Sequence, residues 1–86
     1  MEVRIVTRDG IDLAVGVAEL ALLMRTECGI SQSELARRTG IAQPYLSAIE
    51  RGARTPTLQT LQRIARNTDH QLVFAAEPQR SPDMIP

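Results

Sequence analysis

The chain of 86 residues is long enough for one small domain, and a hydrophobic share of 43% is ordinary for a protein that buries a single modest core. One cysteine excludes an internal disulfide, and no apolar run approaches the roughly 20 residues that a membrane span requires. The formal net charge of zero, taken alone, argues against a nucleic-acid partner, since phosphate binding depends on Lys and Arg.

The charge is unevenly distributed along the chain. Residues 31–66 contain six arginines and two glutamates, a net charge of +4, whereas residues 1–30 and residues 67–86 each carry −2. A basic middle between acidic ends predicts one surface that faces DNA. No secretory pattern is recognised, so we expect a cytoplasmic protein.

The first predicted elements are a short strand and a helix. Val3–Val6 mostly alternates apolar with polar residues and is rich in β-branched types, and Asp9-Gly10 predicts a turn. Apolar residues then recur at helical spacing between Asp12 and Glu27, which predicts a helix from the mid-teens to Glu27. Gly29 stands where a helix C-cap is expected.

Two short helices follow. Ser31-Gln32-Ser33-Glu34 is a capping box, which predicts a helix start, and Gly40 ends this helix after two turns. The next helix has Pro44 in its first turn, where the missing N–H costs nothing, and we expect it to end at Gly52.

The C-terminal third begins with a fourth helix. Thr57 is its expected N-cap, and its apolar residues repeat at three and four positions: Leu58, Leu61, Ile64 and Ala65. Asn67 in the left-handed conformation would close this helix. Gln71–Ala75 predicts a second short strand, and the proline-containing residues 78–86 predict a flexible tail.

The two short helices, joined by Gly40-Ile41-Ala42, have the arrangement of a helix-turn-helix, whose second helix enters the DNA major groove. Spacing alone does not separate this from a generic helical hairpin. The stretch from Ile30 to Gly52, ISQSELARRTGIAQPYLSAIERG, however, resembles the phage-repressor and Cro class, the Xre family, over roughly residues 17–66. This resemblance implies a mainly α, lambda-repressor-like bundle of four helices in which helix 43–51 reads DNA.

The resemblance also implies roles for individual residues. The base-contacting positions are Gln43, Pro44 and Ser47, which together favour a half-site containing A·T pairs. The positions expected at the DNA backbone are Gln32, Tyr45, Arg51, Arg54 and Thr55. The expected structural ion pair joins Arg25 and Glu50. A solvated helix face is the better interpretation of the remaining arginines of this stretch, Arg37, Arg38, Arg63 and Arg66.

Two residues depart from the family pattern. Ala42 stands where the family usually has a Ser or Thr cap, and Tyr45 is bulky beside the groove, where it either bonds a phosphate or covers the edge of the core. Cys28 and His70 are single residues with no partner at metal-ligand spacing. No catalytic constellation is recognised, so we expect neither an enzyme nor a cofactor or metal site.

The predicted C-terminal strand bears on assembly, because a lone strand leaves its backbone groups unpaired. It pairs either with Val3–Val6 or with its copy in a second subunit, which gives a small sheet with Leu72, Val73 and Phe74 as dimerisation residues. Pairing between subunits would place two reading helices about one DNA turn apart, as a palindromic operator requires. We therefore divide the chain into a strand and turn (1–10), a DNA-binding domain (11–69), a dimerisation strand (70–77) and a tail (78–86).

Two functions remain open at this stage. The order of helix-turn-helix, strand and polar tail is similar to antitoxins such as the repressor partner of the Hip persistence kinase. The chain is therefore either a homodimeric bacterial repressor that binds double-stranded operator DNA, or an antitoxin that sequesters a toxin protein. A third interpretation, a vestigial protein-interaction module, predicts no salt-dependent DNA binding.

Overall fold

The computed structural model describes residues 10–78, with side chains from Val15 onward. The described chain is mainly α, as predicted, and its helices are α1 (Gly10–Cys28), α2 (Gln32–Thr39), α3 (Gln43–Glu50) and α4 (Leu58–Arg66). No helix within residues 10–78 is long and apolar enough to cross a membrane. The predicted strand at Val3–Val6 lies outside the described residues.

The start of α1 differs from the prediction. The helix begins at Gly10, inside the predicted turn and before the mid-teens, and it ends at Cys28, one residue beyond Glu27. Residues 11–14 contain no proline or glycine, so nothing in this stretch of the sequence interrupts a helix.

The two ends of α2 follow from its sequence. The Ser31 hydroxyl accepts a hydrogen bond from the Glu34 N–H at 3.0 Å, as an N-cap does. Gly40 has φ of +72°, the left-handed conformation of a C-cap, and its N–H donates to the Ala36 carbonyl. The predicted capping box is only half formed, because the Glu34 carboxylate accepts from Arg37 Nε at 2.7 Å.

A buried threonine fixes the turn between α2 and α3. The Thr39 hydroxyl donates to the Leu35 carbonyl at 2.7 Å and accepts from the Ile41 N–H at 3.2 Å. The turn then enters α3 through Ala42, whose backbone is extended and which gives no side-chain cap. Pro44 lies in the first turn of α3, as predicted.

The end of α4 corrects one prediction. Thr57 caps the helix by accepting from the Thr60 N–H at 3.1 Å, but Asn67 is not left-handed, since its φ is −89°. The positive φ falls two residues later, at Asp69, with φ of +59°. Asn67 is nevertheless the C-cap of α4, and its N–H and side-chain amide both donate to the Arg63 carbonyl.

One aliphatic core joins the four helices. α1 and α2 each contact both α3 and α4. The core contains Val17, Ala21, Met24, Leu35, Ile41, Leu46, Ile49, Leu61, Ile64 and Ala65. Leu58 does not belong to it, although its helical spacing predicted that, because it lines an open cleft and is 66% exposed.

The predicted C-terminal strand does not form within this chain. Residues 70–78 have neither helix nor strand, and residues 10–78 contain no β-strand. A strand needs a neighbour to accept its backbone hydrogen bonds, and the described part of the chain offers none. Leu72 packs against the core, whereas Val73 and Phe74 are 82% and 67% exposed.

Candidate nucleic-acid interface

One face of α3 is polar and open to solvent. Gln43, Ser47 and Arg51 follow one another at intervals of four residues, so they form one stripe along the helix and its C-cap. Gln43 and Arg51 are exposed and Ser47 is half-buried, while Leu46 and Ile49 on the opposite face are each 1% exposed. The apolar face therefore fixes which side of α3 faces outward.

The first turn of α3 carries two of the predicted base-contacting residues. Gln43 and Pro44 are both exposed there. The Ser33 hydroxyl of α2 donates to the Gln43 side-chain oxygen at 3.3 Å, which orients the Gln43 amide from the neighbouring helix. The sequence signalled Ser33 only as a member of a capping box, and its spacing to Gln43 gives no sign of this contact.

The C-terminal end of α3 is held by a network of charged hydrogen bonds. Arg25 of α1 donates to both Glu50 carboxylate oxygens, from Nε at 2.8 Å and from Nη2 at 2.9 Å. The side-chain amide of Gln32 donates to Glu50 Oε1 at 3.1 Å, and Arg25 Nη1 donates to the Ile30 carbonyl at 3.0 Å. The hydrogen bond to Glu50 raises the pKa of Arg25 above its ordinary value, against the opposing effect of partial burial.

This network places Gln32 differently from a simple phosphate ligand. One of its amide N–H groups is directed to Glu50, which leaves the second for another acceptor. Gln32 at the start of α2 is therefore tied to the far end of α3. The same carboxylate fixes three helices relative to each other: α1 through Arg25, α2 through Gln32 and α3 through Glu50 itself.

The C-cap of α3 and the loop after it hold three more of the residues predicted at the DNA backbone. Arg51 Nε donates to the Ser47 hydroxyl at 3.4 Å. Arg54 lies with its guanidinium carbon 5.5 Å from the centre of the Tyr45 ring. Thr55 is exposed in the same loop. The structure thus brings this loop next to Arg51, at the C-terminal end of the polar stripe formed by Gln43, Ser47 and Arg51.

The other arginines of the basic middle divide into two pairs. On α2, Arg37 forms an ion pair with Glu34, and Arg38 donates to the Asn67 carbonyl of α4 at 3.3 Å. On α4, Arg63 and Arg66 are exposed and form no ion pair with any acid in residues 10–78. A solvated or scaffold role remains the simpler interpretation of all four.

Cys28 and His70 show no sign of a metal centre. Cys28 is a free thiol near Arg38 Nη1, and His70 Nδ1 lies 2.6 Å from the Thr68 carbonyl. Within the described part of the chain, no cluster of His, Cys, Asp and Glu has the geometry to hold a metal ion.

A second surface lies beside α4. An open cleft of about 560 Å³ runs between α4 and the C-terminal segment, and its apolar lining includes Leu58, Leu72 and Phe74. Leu58 and Phe74 of this lining are 66% and 67% exposed, and Val73, the sequence neighbour of Phe74, is 82% exposed. Large exposed apolar side chains that lie together are typical of an interaction surface.

Comparison with known proteins gives matches centred on the helix-turn-helix. The helix-turn-helix family model matches residues 22–69, more than half of the chain. The antitoxin HigA1 of Mycobacterium tuberculosis is 38% identical over 61 residues, which cover 71% of this chain and 41% of HigA1. The HTH-type transcriptional regulator SinR of Bacillus subtilis is 46% identical over 46 residues, 52% of this chain and 41% of SinR.

An uncharacterized HTH-type transcriptional regulator of Sinorhizobium fredii, y4dJ, is 46% identical over 43 residues, half of this chain and 56% of the relative. The matches to HigA1 and SinR thus span only about two fifths of those proteins. No solved structure gives a significant match to the chain. The antitoxin among these relatives is HigA1, so the expected likeness to the Hip-system antitoxin stays a prediction.

Proposed function

The chain belongs to the Xre/Cro-type helix-turn-helix family of non-enzymatic DNA-binding regulators, and we propose that it is a dimeric repressor of its own operon. In this proposal it acts in the bacterial cytoplasm and on the nucleoid. Residues 11–69 form the DNA-binding domain, residues 70–77 the dimerisation segment, and residues 1–10 and 78–86 the flanking strand and tail.

The exposed polar stripe on α3 carries this proposal. Gln43, Pro44 and Ser47 read base edges, because an α-helix that enters the major groove contacts bases through its N-terminal and outward-facing residues. The phosphate backbone on either side of the major groove is contacted by Gln32, Arg51, Arg54 and Thr55. The Glu50 network supports this assignment, since a helix that reads sequence has to keep one orientation while its outer face is in water.

A titration of upstream operator DNA tests the reading helix. The purified protein is added to a fluorescent duplex from its own promoter region at several salt concentrations, beside a scrambled duplex of equal length. We expect preference for one palindrome and a steep loss of affinity with salt. Gln43→Ala with Ser47→Ala should weaken the specific complex by at least tenfold, as expected when base contacts worth about 1–3 kcal/mol each are lost.

The matched control is Thr26→Ala, which removes an exposed polar side chain of α1 outside the stripe. It should leave operator affinity unchanged. Equal affinity for operator and scrambled DNA, or a double variant that binds like wild type, would refute the role of α3 in reading sequence.

The cleft beside α4 supports the dimer. Leu72, Val73 and Phe74 are the proposed dimerisation residues, and the exposed Leu58 extends the same apolar surface. Residues 70–78 have no strand partner within the described chain, and a second copy of the segment would supply one. A dimer on this surface would carry two reading helices to two half-sites.

Sedimentation measurements of Phe74→Asp test the dimer. A charge in the apolar surface should shift the protein from dimer to monomer at micromolar concentration and lower operator affinity. Leu22→Asp on α1 is the control, because Leu22 is also an exposed apolar residue, at 40%. A Phe74→Asp protein that remains dimeric would show that subunits meet elsewhere.

A second candidate function is that of an antitoxin, favoured by the 38% identity to HigA1. Such a protein would also neutralise a toxin, and the exposed Val15 and Leu22 on α1 offer a surface outside both the reading stripe and the dimer segment. Co-expression with the product of the adjoining reading frame tests it. Growth arrest by that product alone, relieved by this chain through a stable complex, would support the antitoxin function, and absence of complex would exclude that pairing.

A further inference from the structure

The loop after α3 folds back along the helix and fixes the backbone of Arg54. The N–H groups of Ala53 and Arg54 both donate to the Ala48 carbonyl, at 2.8 and 3.2 Å. Gly52, with φ of +75°, provides the reversal that this requires. Arg54 therefore starts from a defined position beside α3, although its side chain is exposed.

The Tyr45 ring limits where that side chain goes. Tyr45 is half-buried and packs against the core, so its ring is held by the fold. The guanidinium carbon of Arg54 lies 5.5 Å from the ring centre, within the 6 Å range in which the face of an aromatic ring attracts a cation.

This position leaves Arg54 able to bind an anion. The Tyr45 ring lies on one side of the guanidinium, and a guanidinium carries five N–H donors, so donors remain for an oxygen acceptor. Within residues 10–78, Arg54 forms no ion pair, so no described acid neutralises it, in contrast to Arg25 and Arg37. The Arg54 guanidinium is therefore positioned by the Tyr45 ring and has no acidic partner among the described residues.

We propose that Tyr45 is a positioning residue that seats Arg54 for a DNA phosphate next to the reading helix, and that the Tyr45 hydroxyl does not itself bind DNA. This inference rests on the proposed DNA binding. Without the ring, the four side-chain torsions of Arg54 would have to be ordered at the moment of binding. Ordering one such side chain weakens a complex about two- to tenfold for each subunit.

A double-mutant cycle tests whether Tyr45 positions Arg54. Its readouts are operator affinity and the salt dependence of that affinity. The variants are Tyr45→Phe, Tyr45→Leu, Arg54→Ala and the combination of the last two. Tyr45→Phe keeps the ring and should bind like wild type. Tyr45→Leu should bind the operator several-fold more weakly. Arg54→Ala should bind more weakly too, and the slope of log affinity against log salt concentration should become shallower by about one for each subunit.

The combined variant carries the decision. If Tyr45 acts through Arg54, Tyr45→Leu adds no further loss once Arg54 is alanine. Additive losses would overturn the positioning role, and a Tyr45→Phe variant as weak as Tyr45→Leu would assign the contact to the hydroxyl. A wild type that binds no operator would instead refute the proposed function.

Tyr45 packs against the core, so Tyr45→Leu changes core packing as well as removing the ring. An NMR measurement on the free protein therefore accompanies the double-mutant cycle. Stacking on the ring shifts the Arg54 δ and ε protons upfield, and this shift should persist in Tyr45→Phe and vanish in Tyr45→Leu. Arg54 protons at unstructured values in the wild type would show that the seat does not exist in solution.

Discussion

Removal of the Glu50 carboxylate should destabilise the protein strongly. The Glu50 side chain is 7% exposed and that of Arg25 is 17% exposed. Water therefore cannot fully hydrate either charge when its partner is removed. Glu50→Ala leaves Arg25 mostly enclosed without its acceptor, and deletion of one partner of a buried pair costs about 3–5 kcal/mol. Because Arg25 keeps some contact with water and with the Ile30 carbonyl, we expect the lower end, about 3 kcal/mol.

Urea denaturation followed by circular dichroism at a fixed protein concentration measures this change. In a domain of this size, a loss of about 3 kcal/mol corresponds to a melting temperature at least about 12 °C lower. The control is Glu34→Ala, which removes the acid of an ion pair whose arginine is 74% exposed and which should change stability very little.

Replacement of both Arg25 and Glu50 distinguishes two causes of the stability loss: the cost of an unpaired buried charge and the loss of the attraction between the two charges. Arg25→Met with Glu50→Leu should be far more stable than Glu50→Ala alone, because apolar residues of similar size are tolerated where a single buried charge is not. The hydrogen bond to Glu50 raises the pKa of Arg25 in the wild type, and an arginine without such a partner still has a pKa far above pH 9, so the titration of Arg25 should not change the Glu50→Ala effect between pH 6 and 9. A Glu50→Ala loss below about 1 kcal/mol would refute the reasoning.

Three smaller predictions concern α2 and α3. Ala42→Ser should stabilise the protein by about 1 kcal/mol in thermal melts, because α3 has no side-chain N-cap and the extended backbone of Ala42 suits one; an unchanged melt would contradict it. Gly40→Ala should cost about 1 kcal/mol in the same melts through its φ of +72° alone, since no atom outside Gly40 and its two chain neighbours lies within 4 Å of the added Cβ. The pKa of Glu34 lies below its ordinary value because Arg37 donates to it, so this stabilisation is present above the ordinary carboxyl pKa and is lost as the pH falls through the lowered one. NMR titration of Arg37→Ala should return the Glu34 pKa toward the ordinary value, and a Glu34 that titrates identically in both proteins would rule the pair out.

The helices were predictable because their ends depend on local chemistry. Ser31 and Thr57 cap α2 and α4 through bonds to N–H groups three residues away, and Gly40 ends α2 through its own backbone conformation. The helical family resemblance is confirmed by the family match to residues 22–69.

What the sequence missed depends on contacts between distant residues or on a partner. Ser33 meets Gln43 only because α2 and α3 are packed together, and Leu58 is exposed although its spacing is that of a core residue. The strand at Gln71–Ala75 has the right residue types, but strand formation requires a neighbour that the described chain does not contain. Asn67 is the C-cap of α4, as its place in the sequence predicted, but the left-handed conformation expected of it occurs at Asp69 instead.

A net charge of zero is compatible with DNA binding here because charges that pair internally differ from charges that face outward. The acidic Glu50 is almost buried against Arg25, and it contributes little field at the surface. Residues 40–57, which include all of α3 and the following loop, otherwise carry only Arg51 and Arg54. Charges more than about 8–10 Å from a phosphate are largely screened at physiological salt, so the acidic ends of the chain have little effect at this surface unless the fold brings them there. The local field at α3, and not the sum over the chain, determines whether a phosphate is attracted.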